Sequence, residues 1–149
     1  MAKITFKKGE EYALRLSRLG EQSKGIAKRA IYDAADIVAN EIRANIDTIQ
    51  RVHRYQKEDL KKSLGITPMD KSGDGYWNAK IGFDGYGSVP TKKYPKGIPN
   101  QLLARSIESG TSFRDKTPFV RRAVAKTKNI ALQKMRDRID EDIKKIMEE

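Results

Sequence analysis

The apolar positions of this 149-residue chain change period along its length, and each change marks an element. Lys3-Ile4-Thr5-Phe6-Lys7 alternates polar and apolar residues, which predicts a short edge strand. After Gly9, the residues Tyr12, Leu16 and Leu19 recur at spacings of four and three, and Gly20 stands where a C-cap belongs; a helix of about three turns is expected there. The same rhythm predicts a longer helix from about Gln22 to Gln50, through Ala27, Ile31, Ala34, Val38, Ile42, Asn45 or Ile46, and Ile49. Its alanines, Ala27, Ala30, Ala34, Ala35 and Ala39, combine high helix propensity with little bulk and suit close approach by a partner element.

Between Arg51 and Lys62 the rhythm fails, and His53-Arg54-Tyr55-Gln56 reads as a polar connection, mobile over 51–60. A hairpin follows. Leu64, Ile66 and Thr67 lead into the turn-rich Lys71-Ser72-Gly73-Asp74-Gly75, and Trp77, Ala79, Ile81 and Phe83 then alternate with Tyr76, Asn78, Lys80 and Gly82. Gly85, Gly87, Pro90, Pro95, Gly97 and Pro99 make 84–99 a second mobile loop. A short helix should begin at Asn100 as N-cap, bury Leu102, Leu103 and Ile107, and end before Gly110. The last helix, from about 117, should take Thr117 as N-cap and Pro118 as its first residue, with Val120, Val124, Thr127, Ala131, Met135, Ile139, Ile143 and Ile146 as its buried stripe. At about 45 Å it exceeds the width of a domain this size, so its far end is expected to project or to pack on another subunit. Together these elements predict one α+β domain over 1–149. Long N-terminal and C-terminal helices pack on a small antiparallel sheet, with a long Gly/Pro-rich loop.

Composition narrows what such a domain does. There is no cysteine and one histidine, His53, which excludes disulfide frameworks, zinc ribbons, thiol chemistry and any two-histidine constellation. No stretch approaches the length of an apolar membrane span, and the first residues carry charges where a signal peptide needs an apolar core; a soluble cytoplasmic chain is expected. Lysine and arginine number 31 against 20 acidic residues, a net +11. That surplus favours an anionic partner.

The surplus is unevenly placed. From Tyr86 to Lys126 the positive residues Lys92, Lys93, Lys96, Arg105, Arg114, Lys116, Arg121, Arg122 and Lys126 are opposed only by Glu108 and Asp115, a net +7. From Asp137 to Glu149 the balance is −3. Basic residues at the start of the last helix and acidic ones at its end run against the helix dipole, at a cost of up to about 1 kcal/mol each. A solvated basic face is the plain alternative; retention of two oppositely charged ends for partners is the sharper one, and it suits head-to-tail association.

Signals for catalysis are weak, and no catalytic, cofactor or metal residues are assigned. Gly82-Phe83-Asp84-Gly85-Tyr86-Gly87 lacks dinucleotide-binding spacing and reads as a turn, and His53 reads as an exposed loop residue. Asp70, Asp74 and Asp84 with Lys80 would make only a forced metal-dependent nuclease. Tyr86, Tyr94, Phe113 and Phe119 interleave with the basic residues, so a nucleic-acid-binding protein is the main alternative to an assembly protein.

Gly97-Ile98-Pro99-Asn100-Gln101-Leu102-Leu103-Ala104-Arg105-Ser106-Ile107-Glu108-Ser109-Gly110-Thr111-Ser112, followed by Thr117-Pro118-Phe119-Val120-Arg121-Arg122-Ala123, resembles a family of small virion proteins of long-tailed phages. These are neck, head–tail joining or tail-completion proteins, and their pattern is an acidic residue before Gly-Thr, a short loop, and Pro-Phe-x-Arg opening the last helix. The order of elements, with Leu60 to Leu64 as a Leu-x-x-Ser-Leu segment, extends the likeness over most of the chain. Glu58-Asp59 stands where the family often has Thr-Gly, and Arg122 where it often has Pro. The resemblance implies a virion or prophage structural protein. It would be made in the host cytoplasm and placed in the virion neck or tail as a ring of six or twelve subunits, assembled from a chain that is a monomer alone. Head connector or adaptor and tail proteins would be its partners, DNA would pass through its channel, and no membrane would be involved. In the implied motif Glu108, Gly110, Thr111, Pro118, Phe119 and Arg121 are structural: Gly110 takes a positive φ, Phe119 anchors the helix, and Glu108 pairs with Arg121.

Overall fold

The computed structural model describes residues 2–148, with side chains from residue 10 onward. Helix α1 spans Ala2–Asp47, α2 Arg54–Ser63, α3 Asn100–Ser109 and α4 Phe119–Glu148; strands β1 (Leu64–Ile66), β2 (Asp70–Lys71), β3 (Trp77–Asn78) and β4 (Ile81–Phe83) lie between α2 and α3. The fold is α+β: two long helices packed together, with a small antiparallel sheet.

The two long helices run antiparallel. Asn45 Nδ2 donates to the Phe119 carbonyl at 3.0 Å at one end, and Arg29 Nε donates to Asp142 Oδ2 at 2.8 Å at the other. Small residues line the contact. Ala30 and Ala34 of α1, and Ala123, Thr127 and Ala131 of α4, are all buried, which lets the helices approach closely. The stripe of α4 holds at Thr127, Ala131 and Ile146 but is offset at its start: Phe119 and Ala123 are buried where Val120 and Val124 were expected, and Val124 is 43% exposed. Asp142, also buried, is held between Arg29 and Arg138. The far end of α4 does not project, because Ile146 is buried; α1 is the helix that overshoots.

Three further expectations are corrected. Lys3–Lys7 is not an edge strand but the start of α1, since both sheets are built from residues 64–83 and offer it no neighbour. Gly20 ends nothing: it sits inside α1, where a glycine costs about 1 kcal/mol relative to alanine, too little to stop a helix flanked by strong formers. The polar connection contains α2, capped by the His53 backbone N–H donating to Gln56 Oε1 at 3.4 Å and anchored by Leu60, which is fully buried.

The hairpin forms where alternation predicts it. Leu64 pairs with Phe83 and Ile66 with Ile81, then Asp70 with Asn78 and Lys71 with Trp77. Thr67 bridges the gap, donating its N–H to the Lys80 carbonyl and accepting the Lys80 N–H on Oγ1. Tyr32 and Arg43 of α1 donate to the carbonyls of Thr67 and Leu64, which holds the hairpin on α1. The core gathers Ile42, Ile46 and Ile49 of α1, Leu60, Leu64, Leu103, Ile107 and Phe119.

Residues 84–99 carry turns and bends, closed at the base by Gly87 N–H to the Ile98 carbonyl (2.7 Å) and Asn100 N–H to the Gly85 carbonyl (3.0 Å). Gly97 has φ +96°, and a Cβ there would collide with the Gly87 carbonyl. Asp59 of α2 ties the loop down, accepting from both Ser88 N–H and Ser88 Oγ.

Candidate functional site

The candidate site begins at the joint between α3 and α4, where the motif residues meet. Glu108 ends α3, and its carboxylate accepts the backbone N–H of Val120 at 2.9 Å and of Arg121 at 3.0 Å. It thus satisfies two of the donors that every helix start leaves open and places negative charge on the positive end of the α4 dipole. The Arg121 guanidinium is only at 4.0 Å and 80% exposed, so the Glu108–Arg121 ion pair is the lesser contact. The expected N-cap, Thr117, does not cap α4. The Pro118 carbonyl accepts the first helical bond, from Arg122, while Thr117 N–H donates to the Ile107 carbonyl. Asn100 is likewise not the cap of α3 but its first residue; buried, it donates Nδ2 to the Asp84 carbonyl. Leu102, expected inside, is exposed.

Gly110 has φ +78°, and a Cβ there would meet the Lys116 nitrogen at 2.9 Å. The loop it opens is a tight bridge between Thr111 and Arg114, with the Phe113 ring 99% exposed at its tip. Phe119, by contrast, is buried against Phe83 with ring centroids 6.0 Å apart.

The nine basic residues fall into separate settings. Arg105 and Arg121 flank one depression with Glu108, floored by Ile42, Leu64 and Val120. Arg114 lines another, of about 360 Å³, together with Arg51, Phe113 and Asp115. Arg51 was not singled out from the sequence. It is the one non-glycine residue of positive φ (59°) among the described residues, and that conformation leaves no sequence signal. Lys126 pairs with Glu41 at 2.8 Å, Lys93 lies 5.7 Å from the Tyr94 ring centre, and Lys92, Lys96, Lys116 and Arg122 are exposed.

No cluster of three or more histidine or acidic residues able to hold a metal occurs among the described residues. Asp74 is committed to its own turn, where the Ser72 hydroxyl and the Tyr76 N–H donate to it and hold its carboxyl below the usual carboxylate range. His53 is exposed, stacked on Tyr55 with centroids 5.4 Å apart. No helix of the described residues is long and apolar enough to cross a membrane. Compared with known proteins, the chain matches no family model, no curated protein and no solved structure.

Proposed function

We propose that this chain is a structural subunit of a tailed-phage or prophage neck, assembling as a ring that joins the head connector to the tail, and that its work is assembly rather than catalysis. The observation that supports it best is the polarity of α4. Arg121, Arg122 and the neighbouring Arg105 are exposed at its start, while Asp137, Asp140, Glu141 and Glu148 are exposed towards its end. A subunit with an exposed basic surface at the start of α4 is suited to stacking on an anionic face of a ring above or below. The Glu108 joint supports the same reading, since it gives the acidic-Gly-Thr…Pro-Phe-x-Arg pattern a mechanical role: α3 clamps the start of α4.

Exposed Tyr86 and Phe113 beside the basic residues favour a second reading, direct nucleic-acid binding. One pair of measurements separates them. Binding of the chain to an isolated head connector, and to duplex DNA, is followed at low and moderate salt. The assembly reading expects a stable complex with the connector and weak DNA affinity; tight DNA binding by a monomer, falling steeply with salt, overturns it.

A further inference from the structure

Among the described residues, the first part of α1 makes no hydrogen bond or ion pair with another element, and its one cation–π contact is at its inner end, where Lys24 Nζ lies 5.6 Å from the Trp77 ring centre. Ile26 is the first buried side chain among the described residues of α1, and Ile146 the last among those of α4. Residues 10–25 carry α1 past that point by about 24 Å, with Tyr12 and Leu16 57% and 45% exposed. Tyr12, Leu16 and Leu19 precede Ile26, Ala30 and Ala34 at helical spacing, so they continue the face by which α1 meets α4. Ala13, Ser17 and Gly20 flank the stripe on one side, leaving room for close approach; Glu11, Arg15 and Arg18 flank it on the other. A helical stretch of this length with no packed face is marginal in water.

A matching surface lies on the same molecule. Ile37 of α1 and Ile130 of α4, the latter 59% exposed, form the floor of an open groove of about 450 Å³ between the long helices. Lys134 and Asp137 on its rim offer charges of both signs, against which the arm carries Glu11 and the two arginines Arg15 and Arg18. The arm continues α1, which is itself one wall of the groove, so it cannot fold back into its own groove without breaking the helix. We infer that residues 10–25 form an arm that packs as a third helix into the Ile37–Ile130 groove of a second copy of this chain. The contact is heterologous, so it propagates from copy to copy and closes if the rotation permits. This rests on the reading of the chain as a ring subunit and names the surfaces that would join it.

The test is the mass of the full chain in solution, by light scattering or sedimentation, from low to high micromolar concentration. Wild type should self-associate. Leu16→Glu on the arm and Ile130→Glu in the groove should each give a monomer of 16.9 kDa with unchanged circular dichroism and melting temperature, because both side chains are already largely in water. Mixing the two variants pairs one intact arm with one intact groove and should stop at a dimer. Leu132→Glu, elsewhere on α4, should assemble as wild type does. A monomeric wild type overturns the inference, and so does an Ile130→Glu variant that still assembles while Leu16→Glu does not, which would mean that arms pack on arms. Assembly surviving both changes overturns the arm–groove contact and leaves the ring reading to its own connector-binding test.

Discussion

Replacing Glu108 isolates what the joint between α3 and α4 contributes. Its carboxylate holds two backbone amides at 2.9 and 3.0 Å with its side chain 15% exposed. Hydrogen bonds to a charged group contribute about 1.5–3 kcal/mol, and loss of a helix cap typically costs about 1 and up to 2. Because the two bonds share one carboxylate, their effects overlap, and Glu108→Ala should cost about 2–3 kcal/mol. For a chain of this length that lowers the melting temperature by about 5–10 °C. Glu108→Gln keeps an acceptor for one amide but loses the charge at the helix end, so about 1–2 kcal/mol is expected. Arg121→Ala should cost less than about 0.5 kcal/mol, since an exposed guanidinium 4.0 Å away contributes little. Urea denaturation followed by circular dichroism reads all three, with the midpoint shifting at constant slope. Equal losses in Arg121→Ala and Glu108→Ala would show that the ion pair, not the cap, holds the joint.

The two glycines that look alike in sequence should respond in opposite directions. Gly110→Ala forces a Cβ to 2.9 Å from the Lys116 nitrogen at positive φ and should cost about 1–3 kcal/mol. Gly20→Ala, in open space inside α1, should be neutral or stabilising by up to about 1 kcal/mol; equal effects in thermal melts would contradict the assigned backbone. Leu60→Ala should cost about 2–5 kcal/mol, because Leu60 is fully buried, whereas a residue in a mobile connection would cost almost nothing. Asp74 titrates below the ordinary carboxylate range because the Ser72 hydroxyl and then the Tyr76 amide favour its charged form. What it contributes to the hairpin turn is therefore present above that range and is lost as the pH falls through its lowered pKa. An NMR titration should show Ser72→Ala returning it towards the ordinary value, and no movement would refute the assignment.

Legibility in the sequence followed the kind of contact each residue makes. The hairpin was readable because Trp77 to Phe83 alternates strictly and the turn residues sit between two apolar runs. The long helices were readable from their three-four rhythm. Helix α2 was not, because one of its two buried side chains is Gln56, and a period built on apolar letters cannot register a buried glutamine. The offset at the start of the α4 stripe was missed for a related reason. Pattern reading favours Val124 as the larger apolar residue, while the close contact with α1 selects the smaller Ala123. At the site, Glu108 stood out, but its partner was taken to be the side chain of Arg121. Backbone amides have no letter in a sequence, so the cap was visible only once α3 and α4 were placed end to end.

That placement also changes the meaning of the unfavourable charges on α4. Arg121, Arg122 and Lys126 lie near its start, and its first turn holds no acidic residue, so the helix by itself opposes its dipole. Glu108 supplies the missing negative charge from α3, and Glu41 of α1 takes up Lys126. The compensation is local and incomplete: it serves the backbone amides of Val120 and Arg121 and one lysine, and leaves Arg105, Arg121 and Arg122 facing water. Were solubility the only demand, lysines and arginines would sit more favourably at the far end of α4, where the dipole welcomes them. A carboxylate borrowed from another helix keeps α4 stable while its start stays basic on the outside, which is what an end surface that meets an anionic neighbour requires.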